Sequence, residues 1–176
     1  MKSKVLAVSA ISASFITLFL TVGSYFSAVD IFCVFLASAF VIAPLYCKSY
    51  TGSFLCYLVG GLLYLILCGF NFLTLVFPSY FLFFGIFPII KILLQEKNVN
   101  LYLAWTIKLV WAILAFYIIY LYYTAFVGPI SDVPEWLQSS FIYFIGVVAI
   151  IICVLFDRCV SIMQFLWNKY LSKVIK

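Results

Sequence analysis

Residues 77–97 read FPSYFLFFGIFPIIKILLQEK, and this stretch decides the fold class. At 1.5 Å per residue, a helix of that length measures roughly 30 Å and spans the hydrocarbon core of a bilayer. The run stays apolar until its first charge at Lys91, with Gly85 and Pro88 as its interruptions. Pro88 has no amide proton and its ring clashes with the carbonyl of Phe84, which predicts a kink over Phe84–Pro88. In lipid a freed carbonyl needs a partner, so the kink is expected to face other helices or a wet cavity. Lys91 lies about one turn beyond and is expected to snorkel to the inner interface, with Lys97 as a second anchor.

The rest of the chain has the same character. It holds 176 residues, 68% hydrophobic and 9% charged, with a mean hydropathy of +1.29. So few charges cannot cover the surface of a soluble domain of this size, so the class is an integral membrane protein. No Pro/Ser-rich linker or charge run divides the chain, so residues 1–176 are read as one domain. There is no His, and the six Cys form no CxxC pair. Neither a zinc site nor a disulfide framework is supported, and no metal or cofactor is expected.

Six apolar segments can be marked: about Val5–Val22, Ile31–Cys47, Phe54–Phe72, Phe77–Leu94, Leu101–Tyr123 and Phe141–Phe156. The first is too long for the apolar region of a secretory signal and is kept as a span. The expected fold is all-α, a polytopic six-transmembrane-helix bundle. The charges support this segmentation independently. Lys2 and Lys4 precede the first segment, Lys48 follows the second, and Lys91 and Lys97 close the fourth. Arg158, Lys169, Lys173 and Lys176 follow the sixth, whereas the other connections carry only Asp30, Asp132 and Glu135. By the positive-inside tendency, both termini are cytoplasmic and the location is the cell membrane.

Lys108 departs from this pattern, two turns into the fifth segment in LAWTIKLVW. It either snorkels inward or is a buried cation that pairs Glu96 or a partner protein, since no acid inside a span is seen to face it. After Phe156, residues 157–176 place Val160, Met163, Trp167 and Val174 at helical spacing opposite Arg158, Lys169, Lys173 and Lys176. This predicts an amphipathic C-terminal helix lying along the inner leaflet on membrane lipid.

Candidate binding residues come from three outer connections. These are Asn71, then Ser79 and Tyr80, then Asp132, Glu135 and Trp136 in VGPISDVPEWLQSS. Gly128, Pro129 and Pro134 fix turns in the last, which reads either as ordinary interface chemistry or as a lid over an outward cavity. Tyr80 and Trp136 would stack on a flat ligand, and Asp132 or Glu135 would accept its donors. On the first helix, Ser9, Ala10, Ala13 and Ser14 make small-residue pairs at four-residue spacing, which let helix backbones approach closely. That face serves either internal packing or another subunit. Catalysis has little to stand on, and a membrane enzyme is the third reading: there is no GxSxG, no HExxH, no paired carboxylate in a span and no phosphate-binding Gly loop. No nucleic-acid partner is indicated.

Six spans in under 200 residues, inward termini and a small-residue first helix resemble the substrate-binding (S) components of energy-coupling factor (ECF) transporters. PSYFLFFGIFPIIKILLQEK, LAWTIKLVW and the closing LFDRCV are similar to small Firmicutes membrane proteins of S-component-like organisation. The resemblance implies a membrane-embedded binding subunit for a small metabolite or vitamin, energised by separate ATPase subunits. It also implies docking of Ser9, Ala10, Ala13 and Ser14 against a transmembrane coupling subunit. The alternative is a non-transporting membrane scaffold or regulatory protein that assembles with other membrane proteins. A transporter is expected to hold a solvent-sized outer cavity and a scaffold to be packed solid.

Overall fold

The computed structural model describes the backbone of residues 3–26, 28–47, 49–69, 74–126 and 135–174. It describes their side chains apart from residues 46, 135–142 and 170–174. The described residues are all-helical: α1 (Ser3–Tyr25), α2 (Asp30–Tyr46), α3 (Tyr50–Leu67), α4 (Val76–Ser79), α5 (Phe87–Glu96), α6 (Leu101–Phe126) and α7 (Glu135–Val174). A π-helical turn, Tyr80–Phe84, joins α4 towards α5, so that Val76–Glu96 forms one interrupted rod. Five helices are long and apolar enough to cross a membrane, and α2 is a shorter apolar helix. At 17 residues α2 measures about 25 Å.

This short helix is the centre of the bundle. It packs on α1, α3, α7 and all three pieces of the fourth rod, burying Val34, Ala37, Ser38, Val41 and Ile42. A helix sheathed by protein need not match the thickness of lipid, which accounts for its length. The outer helices turn apolar side chains outward instead, as with Leu103, Val110 and Leu114 on α6 and Val147, Ile151 and Leu155 on α7. A continuous apolar exterior of this kind fits a lipid environment and not an aqueous one.

Small residues set the close approaches. On α6, Ala104, Ala112 and Ala115 are buried, and they meet a helix that buries Ala149 and Cys153. Gly60 and Gly61 of α3 face opposite neighbours. A Cβ on Gly60 would stand 2.7 Å from Ile16 Cγ2 of α1, and one on Gly61 would strike the ring of Phe81. Thr17 Oγ1 uses this proximity, donating to the Gly60 carbonyl at 3.1 Å.

The fourth rod breaks earlier than Pro88 alone predicts. Gly85 N–H donates to the Tyr80 carbonyl, five residues back, at 2.8 Å. A π turn widens the coil and frees carbonyls from the helical ladder. Two of these are met from neighbouring helices: Tyr57 OH donates to Phe81 O at 2.8 Å and Trp111 Nε1 to Leu82 O at 3.1 Å. The expectation that the irregularity faces other helices therefore holds, with its position shifted one turn upstream.

Two expectations are corrected at the other end. The sixth segment does not stop at Phe156, since α7 runs unbroken from Glu135 to Val174, about 60 Å. Nor does the apolar face of its last part lie on lipid alone. Val160 is fully buried, Trp167 Nε1 donates to Ala39 O of α2 at 3.1 Å, and Gln164 donates to Gln95 of α5 at 3.2 Å.

Candidate functional site

Two features of the bundle carry chemistry, one at each end. The first is an ion cluster. Lys91 of α5, Lys108 of α6 and Asp157 of α7 are all buried, at 1%, 7% and 7% exposure. Lys91 Nζ lies 3.2 Å from Asp157 Oδ2 and 2.6 Å from Ser161 Oγ, and also donates to the Asp157 backbone carbonyl. Lys108 Nζ donates to Asp157 Oδ1 at 2.7 Å and stands 4.6 Å from the centroid of the Trp105 ring. One carboxylate thus holds two ammonium groups from two other helices. Buried charge is tolerated only when paired and hydrogen-bonded, and here every member is.

This arrangement corrects the sequence reading twice. Lys91 does not snorkel to an interface, and Lys108 pairs Asp157, not Glu96. The acid was overlooked because it follows the last residue of the apolar run, where a charge marks the end of a span. The available signal was that Lys91 and Lys108 each lie inside a stretch otherwise apolar, so each needs an acid, and Asp157 directly follows another such stretch.

The second feature is a cavity of about 210 Å³ between α2, α4, α6 and α7. Ile31 and Val34 of α2, Leu75, Val76 and Ser79 of the fourth rod and Ile119 of α6 form much of its wall, with the rings of Phe84 and Phe116 beside them. Asp30, the first residue of α2, is its one charged lining residue. The π turn matters here, because Ser79 and Phe84, the residues at its two ends, both line the cavity. Phe116 and Lys108 are eight residues apart on α6, so cavity and ion cluster are separated by about 12 Å along that helix. Between them the bundle is solid with aromatic rings: Phe83 packs on Phe87, Phe116 and Phe156 at centroid distances of 5.1, 5.3 and 5.6 Å.

Of the residues expected to bind a ligand, Ser79 lines the cavity. Tyr80 is fully buried in the core instead, against Tyr57 at 5.5 Å, with its hydroxyl donating to the Tyr57 carbonyl at 3.3 Å. Asn71 and Asp132 lie outside the described residues, and Glu135 and Trp136 open α7 with side chains also outside them. Asp30 was read only as a topology marker, although an acid at the start of an apolar helix with no base nearby in sequence was the available signal. Of the small face on α1, Ser9 and Ala13 are buried towards α3, where a Cβ on Gly52 would stand 2.8 Å from Ser9 Oγ. Ala10 and Ser14 are exposed. Ser14 borders a shallow groove of about 480 Å³ with Thr17, Thr21, Leu63 and Leu67, which opens on the apolar exterior.

No family model matches this chain, and no curated protein and no solved structure is significantly similar to it.

Proposed function

We propose that the chain is a multi-pass membrane protein of six spans with cytoplasmic termini, and that it binds a small, largely apolar molecule in the cavity beside Asp30 and Ser79. The observation that carries this reading is the cavity itself, at the end of the bundle away from the lysines. A molecule arriving from outside would meet it first under the positive-inside orientation. Binding sites for small molecules are concave, mostly apolar and furnished with a few polar groups, as this one is. The volume is modest and suits a compact metabolite. The layout supports the narrower reading of an S-component-like subunit, in which Ala10 and Ser14 offer the exposed half of the small face to a coupling subunit and separate ATPase subunits supply energy. The rival reading, a scaffold without a ligand, draws on the solid aromatic packing below the cavity.

Two measurements bear on this. In a cysteine-free background, Asp132→Cys is expected to react with an impermeant thiol reagent from outside, and Lys97→Cys only after the membrane is opened. Reaction of both from the same side contradicts the six-span orientation. Affinity purification from the native membrane, with mass spectrometry of proteins and small molecules, is expected to recover ATPase and coupling subunits together with a bound metabolite. Recovery of neither leaves the S-component reading without support and favours the scaffold.

A further inference from the structure

The ligand class follows from the charges around the cavity, given the reading of that cavity as a ligand site. Asp30 is half-buried at its wall, and its Oδ1 accepts the Ile31 amide at 2.5 Å. Among the described residues Asp30 forms no ion pair. None can reach it from nearby in the chain, because no Lys or Arg occurs between Lys4 and Lys48, between Lys48 and Lys91 or between Lys108 and Arg158. Lys48, the nearest in sequence, is 18 residues away. Among the described residues, the carboxylate beside this apolar cavity thus has no counter-charge, and the aromatic side chains of Phe84 and Phe116 line the same space. Carboxylate and aromatic rings together are what an organic ammonium group binds.

We propose that the cavity takes a compact apolar molecule carrying one positive charge, an alkyl- or arylalkylammonium compound, with its charge at Asp30 and its body against Phe84 and Phe116. Asp30 is then the residue that sets specificity, and anions of the same size are excluded by repulsion.

Three probes of one skeleton test this: 2-phenylethylammonium, 2-phenylethanol and phenylacetate. Binding is measured by equilibrium dialysis on the purified full chain in nanodiscs of uncharged lipid, with empty discs subtracted. The ammonium compound is expected to bind about fivefold more tightly than the alcohol, the upper end of what an exposed ion pair contributes, and the acid most weakly. Asp30→Asn is expected to erase the advantage of the ammonium over the alcohol. Equal binding of ammonium and alcohol to the unaltered protein overturns the inference while leaving the cavity as a site, and needs no variant to fold. An advantage that persists in Asp30→Asn also overturns it. Binding of none of the three above empty discs overturns the ligand site itself, and the inference with it.

Discussion

Replacing Asp157 with alanine is expected to destabilise the bundle by about 3–5 kcal/mol, the usual result of stripping a buried charge of its partner. Lys91 and Lys108 are buried on α5 and α6, and both rely on this one carboxylate. Without it, two positive charges share an apolar interior. The order of the single variants follows from the charge count. Lys91→Met or Lys108→Met leaves one ammonium and one carboxylate, a neutral pair, and should cost clearly less than Asp157→Ala. The triple variant Lys91→Met, Lys108→Met, Asp157→Leu should recover most of the loss, because apolar groups of similar volume often replace a buried ionic cluster without penalty. Unfolding in mixed micelles of rising denaturing-detergent content measures all four. An Asp157→Ala protein no less stable than the Lys→Met variants would show that the cluster does not hold α5, α6 and α7 together.

Gly60→Leu is the second substitution expected to disrupt the bundle. The Cβ alone would sit 2.7 Å from Ile16 Cγ2 and 3.2 Å from the Ala13 carbonyl oxygen, and a backbone atom cannot swing aside. The helices α1 and α3 must separate, losing the Thr17 hydrogen bond to the Gly60 carbonyl. Overpacking of this kind costs about 1–3 kcal/mol, and branches beyond Cβ push it towards the upper end. Ile16→Ala in the same chain is expected to restore part of the stability by clearing the nearer obstacle. Gly146→Leu is the control, since a Cβ there meets nothing within 4 Å. Equal losses at Gly60 and Gly146 would mean that leucine acts through the helix backbone and not through the α1–α3 contact.

The class and most of the helices were legible in sequence because they follow from local properties. Apolar runs, their interruption by Gly85 and Pro88, and the placement of Lys and Arg between them depend on neighbours in the chain. What was not legible depends on partners far away in sequence. Asp157 looks like the end of a span until Lys91 and Lys108, 66 and 49 residues distant, are brought against it. The continuation of α7 into Trp167 follows the same logic, because Ala39 and Phe40 supply the partners that lipid was expected to supply. Pro88 announced a break, yet the break settled at Tyr80–Phe84, where Tyr57 and Trp111 can meet the freed carbonyls. At the cavity, Ser79 was found from its place at the start of a span. Asp30 was not, because its significance comes from rings on α6 and on the fourth rod. Tyr80 looked like a ligand-stacking residue for its position, and its hydroxyl turned inward to a carbonyl that only the fold brings within reach.

The most direct test of the central proposal is ligand retention in a chain whose cavity has been filled. Ile119 of α6 lines the cavity and is only partly buried, so Ile119→Trp places an indole there without displacing the core; Ser79→Phe does the same from the fourth rod. The unaltered protein and both variants are purified from the same native membranes, checked for equal thermal stability, and their bound small molecules are released and compared by mass spectrometry. A compound present at near-equimolar amounts with the unaltered chain, and reduced at least tenfold in both filled variants, is the predicted result. An identical set of small molecules in all three, with the variants fully folded, contradicts the proposal and leaves a membrane scaffold as the better description.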